Sequence, residues 1–179
     1  MSWKSEPTRY GAVAMAMHWL TAAAIFGLIG SGLAMDSFAD ASRTLLLRGH
    51  VIAGFFVVAL TLLRIAWWAF ADRRPVHPAG MPRWQALAAT TVHRLFYVVI
   101  LGMGASGIAM IALSGAGLIL FAGVPGPLPD FQNFAPRAPH GFGAWTMIAL
   151  VVLHVGAALY HQFVNHDRLL TRMGVGSAN

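Results

Sequence analysis

The chain has 179 residues, 58% of them hydrophobic and 10% charged, where a soluble domain carries about 25% charged residues. With a mean hydropathy of +0.65, that excludes a water-soluble globule and leaves an integral membrane protein with little mass outside the bilayer. The absence of cysteine excludes disulfides, thiolate-held iron–sulfur clusters and C-x-x-C-H attachment of haem, and the formal net charge of +6 is spread along the connections without a run or stripe, so it argues for basic membrane flanks and not for nucleic acid.

Residues 1–10 form a short polar start with Lys4 and Arg9. The first apolar span covers residues 11–35. It is too long for the apolar core of a signal peptide and contains His18, so it reads as a retained helix. After a polar connection, residues 45–70 form a second span, with Arg48 and His50 at its start and Arg64 near its end. A loop with three prolines leads to the third span, residues 87–113, which has His93 and Arg94 early. Residues 115–139 hold five prolines and four glycines and cannot be one continuous helix; residues 118–121 within them read as a patch resting at the interface. The fourth span covers residues 140–164, and a polar tail follows. Each span is long enough for a hydrocarbon core of about 30 Å. The predicted fold is all-α, a single transmembrane four-helix bundle over residues 1–179, with no internal repeat, low-complexity tract or domain linker.

Four spans place both termini on one side. That side gathers Lys4, Arg9, Arg73, Arg74, Arg83, Arg168 and Arg172, with Arg64 and Arg94 close by; the other holds Arg43, Arg48 and Arg137. The larger share marks the cytoplasmic face, so the orientation is N-in, C-in.

Depth sorts the histidines. His18 lies about two turns into a helix that starts inside, and His154 lies in the second half of a helix that ends inside. His50 and His140 each begin a helix that starts outside. His18 can therefore face His154, and His50 can face His140, at two levels separated by about 21 Å of helix rise. Paired neutral imidazoles on facing helices are the axial donors that hold a b-type haem without a covalent tether. Ionisable groups at such depth are costly, and a set that pairs by level is hard to account for as isolated helix histidines. His77 and His166 read as solvated, and His93 as a polar ring at the interface. His161 shares the face of His154 and stands between two readings, a quinone or proton-handling role and an interfacial anchor. Small residues crowd the ligand positions: Ala22, Ala23, Ala24, Gly27, Gly30, Ala53, Gly54, Gly156, Ala157 and Ala158. They either make room for a macrocycle or serve close helix packing. Arg9, Arg48, Arg64 and Arg137 lie at levels suited to propionates, though topology alone also puts arginine at helix ends.

Arg9 eight residues before His18-Trp19, R-G-H at residues 48–50, Arg64 fourteen after His50, V-H-R-L-F-Y-V at 92–98, H-V-G-A-A-L-Y-H at 154–161 and D-R-L-L-T-R-M at 167–173 together resemble the bacterial cytochrome b561 family, over nearly the whole chain. The resemblance implies a four-helix protein of the bacterial inner membrane with two haem b groups, one on His18 and His154 and one on His50 and His140. It also points to His161 as a quinone-site residue. It implies a superoxide:quinone oxidoreductase, taking electrons from superoxide at the periplasmic face and reducing ubiquinone. On that reading Arg43, Arg48 and Arg137 would draw a small anion inward. The alternative implied by the wider superfamily is a haem b subunit relaying electrons between a partner dehydrogenase or hydrogenase and the quinone pool. A third reading, from another class, is a colourless protein using its histidines for metal transport or proton relay.

Overall fold

The computed structural model describes residues 2–78, 80–167 and 169–176. Arg168, counted above among the basic residues, lies outside them. Four long helices dominate: α1 (Ala12–Ala34), α2 (Asp40–Phe70), α3 (Arg83–Ser114) and, after a short helix α4 (Ala116–Phe121), α5 (Arg137–Phe163); a final turn, α6, spans Leu169–Arg172. All four long helices have the length and hydropathy of membrane spans. Their large apolar side chains point outward, as lipid-facing residues do: Leu63, Val98 and Val152 are each at least 60% exposed.

The helices overrun the apolar segments. α2 begins at Asp40, five residues before the predicted span, and α3 at Arg83, four before. Backbone hydrogen bonding continues a helix into the headgroup layer whether or not the side chains are apolar. α5 begins at Arg137 with Pro139 in its first turn, where proline's missing N–H is not needed. The proline- and glycine-rich segment is interrupted as expected. Gly115 ends α3 in the left-handed conformation, φ +69°. The next residue opens α4, which takes up the 118–121 patch and packs on α2 and α3.

α1 packs along α2 and α3 along α5, so the bundle is two antiparallel hairpins, joined mainly where α2 meets α3. Among the described residues no comparable backbone packing joins α5 to α1 or to α2. Two glycines mark the close approaches. A Cβ on Gly104 would overlap the Val58 side chain, and one on Gly143 would come within 2.7 Å of Met103 Cγ. Small residues at such crossings replace the hydrophobic drive that lipid cannot supply. At mid-height one buried residue from each helix meets the others: Ile25, Val57, Ile100 and Met147.

Both termini lie at one end of the bundle, here the terminal end; the α1–α2 and α3–α5 connections form the loop end. The terminal end is fastened by a clasp of three segments. Asp72, after α2, accepts from the Ser5 hydroxyl (2.8 Å), the Ser5 N–H, the Arg73 N–H and the Trp67 indole (3.1 Å). Arg172 of α6 donates to the carbonyls of Thr8 (2.8 Å), Pro7 (3.3 Å) and Val76 (2.7 Å). The Trp19 indole, on α1, donates to the carbonyl of Met173 at 3.0 Å. Gly11 is required here, because any Cβ would collide with the backbone of Trp3 and Lys4.

Candidate functional site

The two predicted histidine pairs come together. Near the loop end, His50 of α2 faces His140 of α5 with ring centres 6.4 Å apart and planes at 60°. Nearer the terminal end, His18 of α1 faces His154 of α5 at 6.1 Å and 66°. Both pairs span the wide seams around α5, where backbones stand apart. Each pair is seven residues from the mid-height quartet along α2 or α5, about 10 Å of helix rise. The bundle is thus layered: imidazoles, aliphatic side chains, imidazoles.

The loop-end pair is buttressed by hydroxyls. Ser31 Oγ lies 2.8 Å from His50 Nδ1, and Ser106 Oγ lies 3.0 Å from His140 Nδ1. Beside His50 a groove of about 510 Å³ opens between α1 and α2, lined by Gly27, Ser31, Leu46, Gly49 and Ala53. Gly27, Gly30, Gly49 and Gly54 have nothing within 4 Å of where a Cβ would sit. These glycines leave space, whereas Gly104 and Gly143, outside the set that crowds the ligand positions, pack closely.

The terminal-end pair has other company. Arg64 Nη1 is 3.5 Å from His18 Nδ1, and its Nε is buried with no hydrogen-bond partner. His93, expected as a polar ring at the interface, is exposed, yet it also lies against His154. Its centre is 5.3 Å from that of His154, and its Nδ1 lies 2.6 Å from the Ala89 carbonyl, to which it donates. Its register, seven residues before buried Ile100, sets it on the side of α3 that meets His154. Phe96 closes the other side of His154 at 5.5 Å.

His161 lies farther toward the terminal end, seven residues beyond His154. There the chain folds back on itself. His166 adopts the left-handed conformation, φ +55°, and the Asp167 N–H bonds to the His161 carbonyl. The turn lays the Asp167 carboxylate 2.5 Å from His161 Nδ1, with the Asn165 amide at 3.4 Å. Nearby on the same helix, Gln162 Oε1 is buried without a partner. A non-glycine residue in that conformation is strained, and here the strain brings an acid onto a base.

The other arginines divide. Arg43 pairs with Asp36 at 3.3 Å on the surface. Arg48 stacks on Phe121 of α4, 5.7 Å from the ring centre, and so ties α4 to α2. Arg137 runs over Gly141 and lines a shallow groove of about 380 Å³ with Gln132, Asn133 and Phe142. Arg9 joins a two-residue bridge with Glu6 through its backbone. Ser31 and Ser106 were not singled out in the sequence, and Asp167 and Arg172 entered it only through the motif at 167–173 and the basic share of one side. The two serines carried a signal, since each precedes a glycine in similar nonapeptides, residues 27–35 and 102–110.

Residues 9–176 match the family model described as prokaryotic cytochrome b561. The chain is 30% identical over 180 residues to cytochrome b561 homolog 2 of Escherichia coli K12, covering 97% of this chain and 95% of that one. It is also 30% identical over 172 residues to cytochrome b561 homolog 1 of the same organism, covering 92% and 96%. An all-helical protein with four membrane-spanning helices, opposed imidazoles within them and a match of this extent belongs to the prokaryotic cytochrome b561 family of membrane electron-transfer proteins, whose cofactor is haem b.

Proposed function

We propose that this chain holds two haem b groups, one between His50 and His140 and one between His18 and His154, and carries electrons from superoxide at the loop end to ubiquinone at the terminal end. The observation that carries the reading is the spacing of the two pairs. Two metal–imidazole bonds of about 2 Å each, with about 1 Å from each nitrogen to its ring centre, sum to about 6 Å. The centres stand 6.4 Å and 6.1 Å apart. Among the described residues no three His, Asp or Glu side chains converge on a bare ion. Donors in twos suit a planar macrocycle that fills the remaining four positions itself. The unpaired, buried Arg64 Nε suits an anionic propionate, and the glycine-lined groove beside His50 suits an apolar ring edge. When bound, haem would supply one-electron transfer, and the four histidines would hold it.

The chain's own residues do the rest. The loop end is periplasmic and the terminal end cytoplasmic, in keeping with the larger basic share at the termini. Arg137, in its groove with Gln132 and Asn133, draws the superoxide anion to the loop end. Arg43 and Arg48 are engaged with Asp36 and Phe121 and contribute less. Ile25, Val57, Ile100 and Met147 keep water out between the two levels. At the terminal end Asp167 holds His161 Nδ1, leaving Nε2 to pass a proton to the reduced quinone. The balance is two superoxide ions oxidised to two dioxygen molecules, with two electrons and two protons converting one quinone to a quinol.

The test is superoxide consumption by stopped flow, with and without added ubiquinone, on purified protein whose haem content has been measured. Quinone-linked acceleration over spontaneous dismutation is expected, with two haems per chain. Haem without that acceleration overturns the superoxide role; stable co-purification with a soluble redox protein would then assign the chain as a relay subunit of a dehydrogenase or hydrogenase. A colourless preparation overturns the whole reading.

A further inference from the structure

The hydroxyls behind the loop-end histidines form a duplicated device. Ser31 Oγ is 2.8 Å from His50 Nδ1 and 3.1 Å from the Leu28 carbonyl; Ser106 Oγ is 3.0 Å from His140 Nδ1 and 3.0 Å from the Met103 carbonyl. A serine hydroxyl has one proton. In each case it goes to the carbonyl three residues back, so the oxygen must accept from the imidazole. Both rings therefore carry hydrogen on Nδ1 and present a bare lone pair at Nε2. The following residue, Gly32 or Gly107, abuts the same edge of each ring: a Cβ there would lie 3.6 Å or 3.5 Å from Cε1.

The match extends through the bundle. Residues 27–35, G-L-I-G-S-G-L-A-M, correspond to residues 102–110, G-M-G-A-S-G-I-A-M. The same offset takes His18 to His93 and Ile25 to Ile100. A second offset takes His50 to His140, Val57 to Met147 and Arg64 to His154. The core quartet is thus two equivalent pairs. The α1–α2 and α3–α5 hairpins therefore carry corresponding residues at these levels. The loop-end level keeps the symmetry. The terminal-end level breaks it, with an arginine where the other hairpin has a histidine.

We infer that Ser31 and Ser106 are matched positioning residues, which fix the tautomer and rotation of His50 and His140 and, by accepting their Nδ1 protons, make both rings stronger donors. This rests on the haem assignment made above. A stronger axial donor favours ferric iron and lowers the potential. The contacts seen at His18 and His154 are with each other, Arg64 and His93, and the Arg64 cation beside His18 favours the reduced state. The loop-end centre is therefore the lower in potential, and electrons run downhill toward the terminal end.

The test is redox potentiometry with low-spin ferric EPR on the full-length protein. Ser31→Ala and Ser106→Ala each raise one midpoint and widen the g-anisotropy of one signal, by similar amounts, while the other haem is unmoved. Ser31→Thr, which keeps the hydroxyl, restores the parent values. A His154→Ala background, left with the loop-end haem, assigns the shifted midpoint. Retention of both haems in that background overturns the ligand assignment and this inference with it. One remaining haem whose midpoint and g-values ignore both serine substitutions overturns the serine role alone. Haem loss in Ser31→Ala but not in Ser31→Thr supports the hydroxyl; loss in both overturns it.

Discussion

The loop-end and terminal-end levels are built from the same two hairpins, yet they are furnished differently. At the loop end each histidine has a serine hydroxyl at its Nδ1, and the two serines hold matching positions in the two hairpins. At the terminal end the same helices offer His18, His93, His154 and the cation of Arg64, and beyond them the His161–Asp167 pair. A symmetric, neutral surround suits a centre that only takes and gives electrons. Charge and spare imidazoles suit the end where electrons must meet protons.

The largest expected effect breaks one level and spares the other. His140→Ala removes the ring that faces His50 and leaves His18 and His154 in place, so haem per chain falls from two to one. His154→Ala does the same at the other level, with His93 as the nearest ring that could stand in. Pyridine haemochromogen titration against protein concentration reads both. Two haems retained in His140→Ala would show that the pairing by level is wrong.

Next in size is the quinone reaction. His161→Ala and Asp167→Asn leave all four opposed imidazoles untouched and are expected to slow quinone-linked turnover at least tenfold, within the range of general acid–base catalysis. The visible spectrum and haem content should stay as in the parent. Asp167→Glu recovers part of the rate, because a carboxylate can still accept from Nδ1. An unchanged rate in both variants would return His161 to the role of an interfacial anchor.

Arg64 sharpens the contrast between levels without removing either. A cation close to a redox centre favours the reduced form, so Arg64→Met lowers the terminal-end midpoint, by roughly 60 mV if the lost interaction equals a tenfold change in equilibrium. The loop-end midpoint, about two helix turns or more beyond the aliphatic layer, should hardly move. Equal shifts at both centres would mean that Arg64 acts through the whole bundle.

What the sequence disclosed follows from which quantities a linear chain encodes. Apolar length gave four spans, because the bilayer sets a minimum of about 20 residues. Depth, counted along each span, put His18 level with His154 and His50 level with His140. Azimuth was harder. His93 was read as interfacial although its register with Ile100 turns it toward His154. Helix ends were misplaced by up to five residues because hydropathy changes before hydrogen bonding stops, as at Asp40. The pairing of Arg48 with Phe121 depends on where a loop helix lands. The hold of Asp167 on His161 depends on a left-handed turn at a residue that is not glycine. Neither leaves a trace in residue spacing. The serines did leave one, in the paired nonapeptides, but it acquires meaning only once both are seen against the same histidine edge.

The smallest expected effect concerns the clasp that holds α6, and so the segment carrying Asp167, against the N-terminal residues. Burial pushes the Asp72 carboxyl up, but hydrogen bonds from the Ser5 hydroxyl and N–H, the Arg73 N–H and the Trp67 indole outweigh it and hold the group below its ordinary value of 3.8. A group whose folded value is depressed stabilises the fold fully above its unfolded value and loses that contribution as pH falls through the folded one. Thermal unfolding should therefore be flat in this respect above about pH 5 and weaken below about pH 4. Asp72→Asn should remove that acid limb and cost about 1 kcal/mol at pH 7, since the amide oxygen still accepts part of these hydrogen bonds. His161 turnover should fall with it only to the extent that α6 loosens, so a variant that loses the acid limb yet keeps full quinone turnover would separate the clasp from the chemistry it borders.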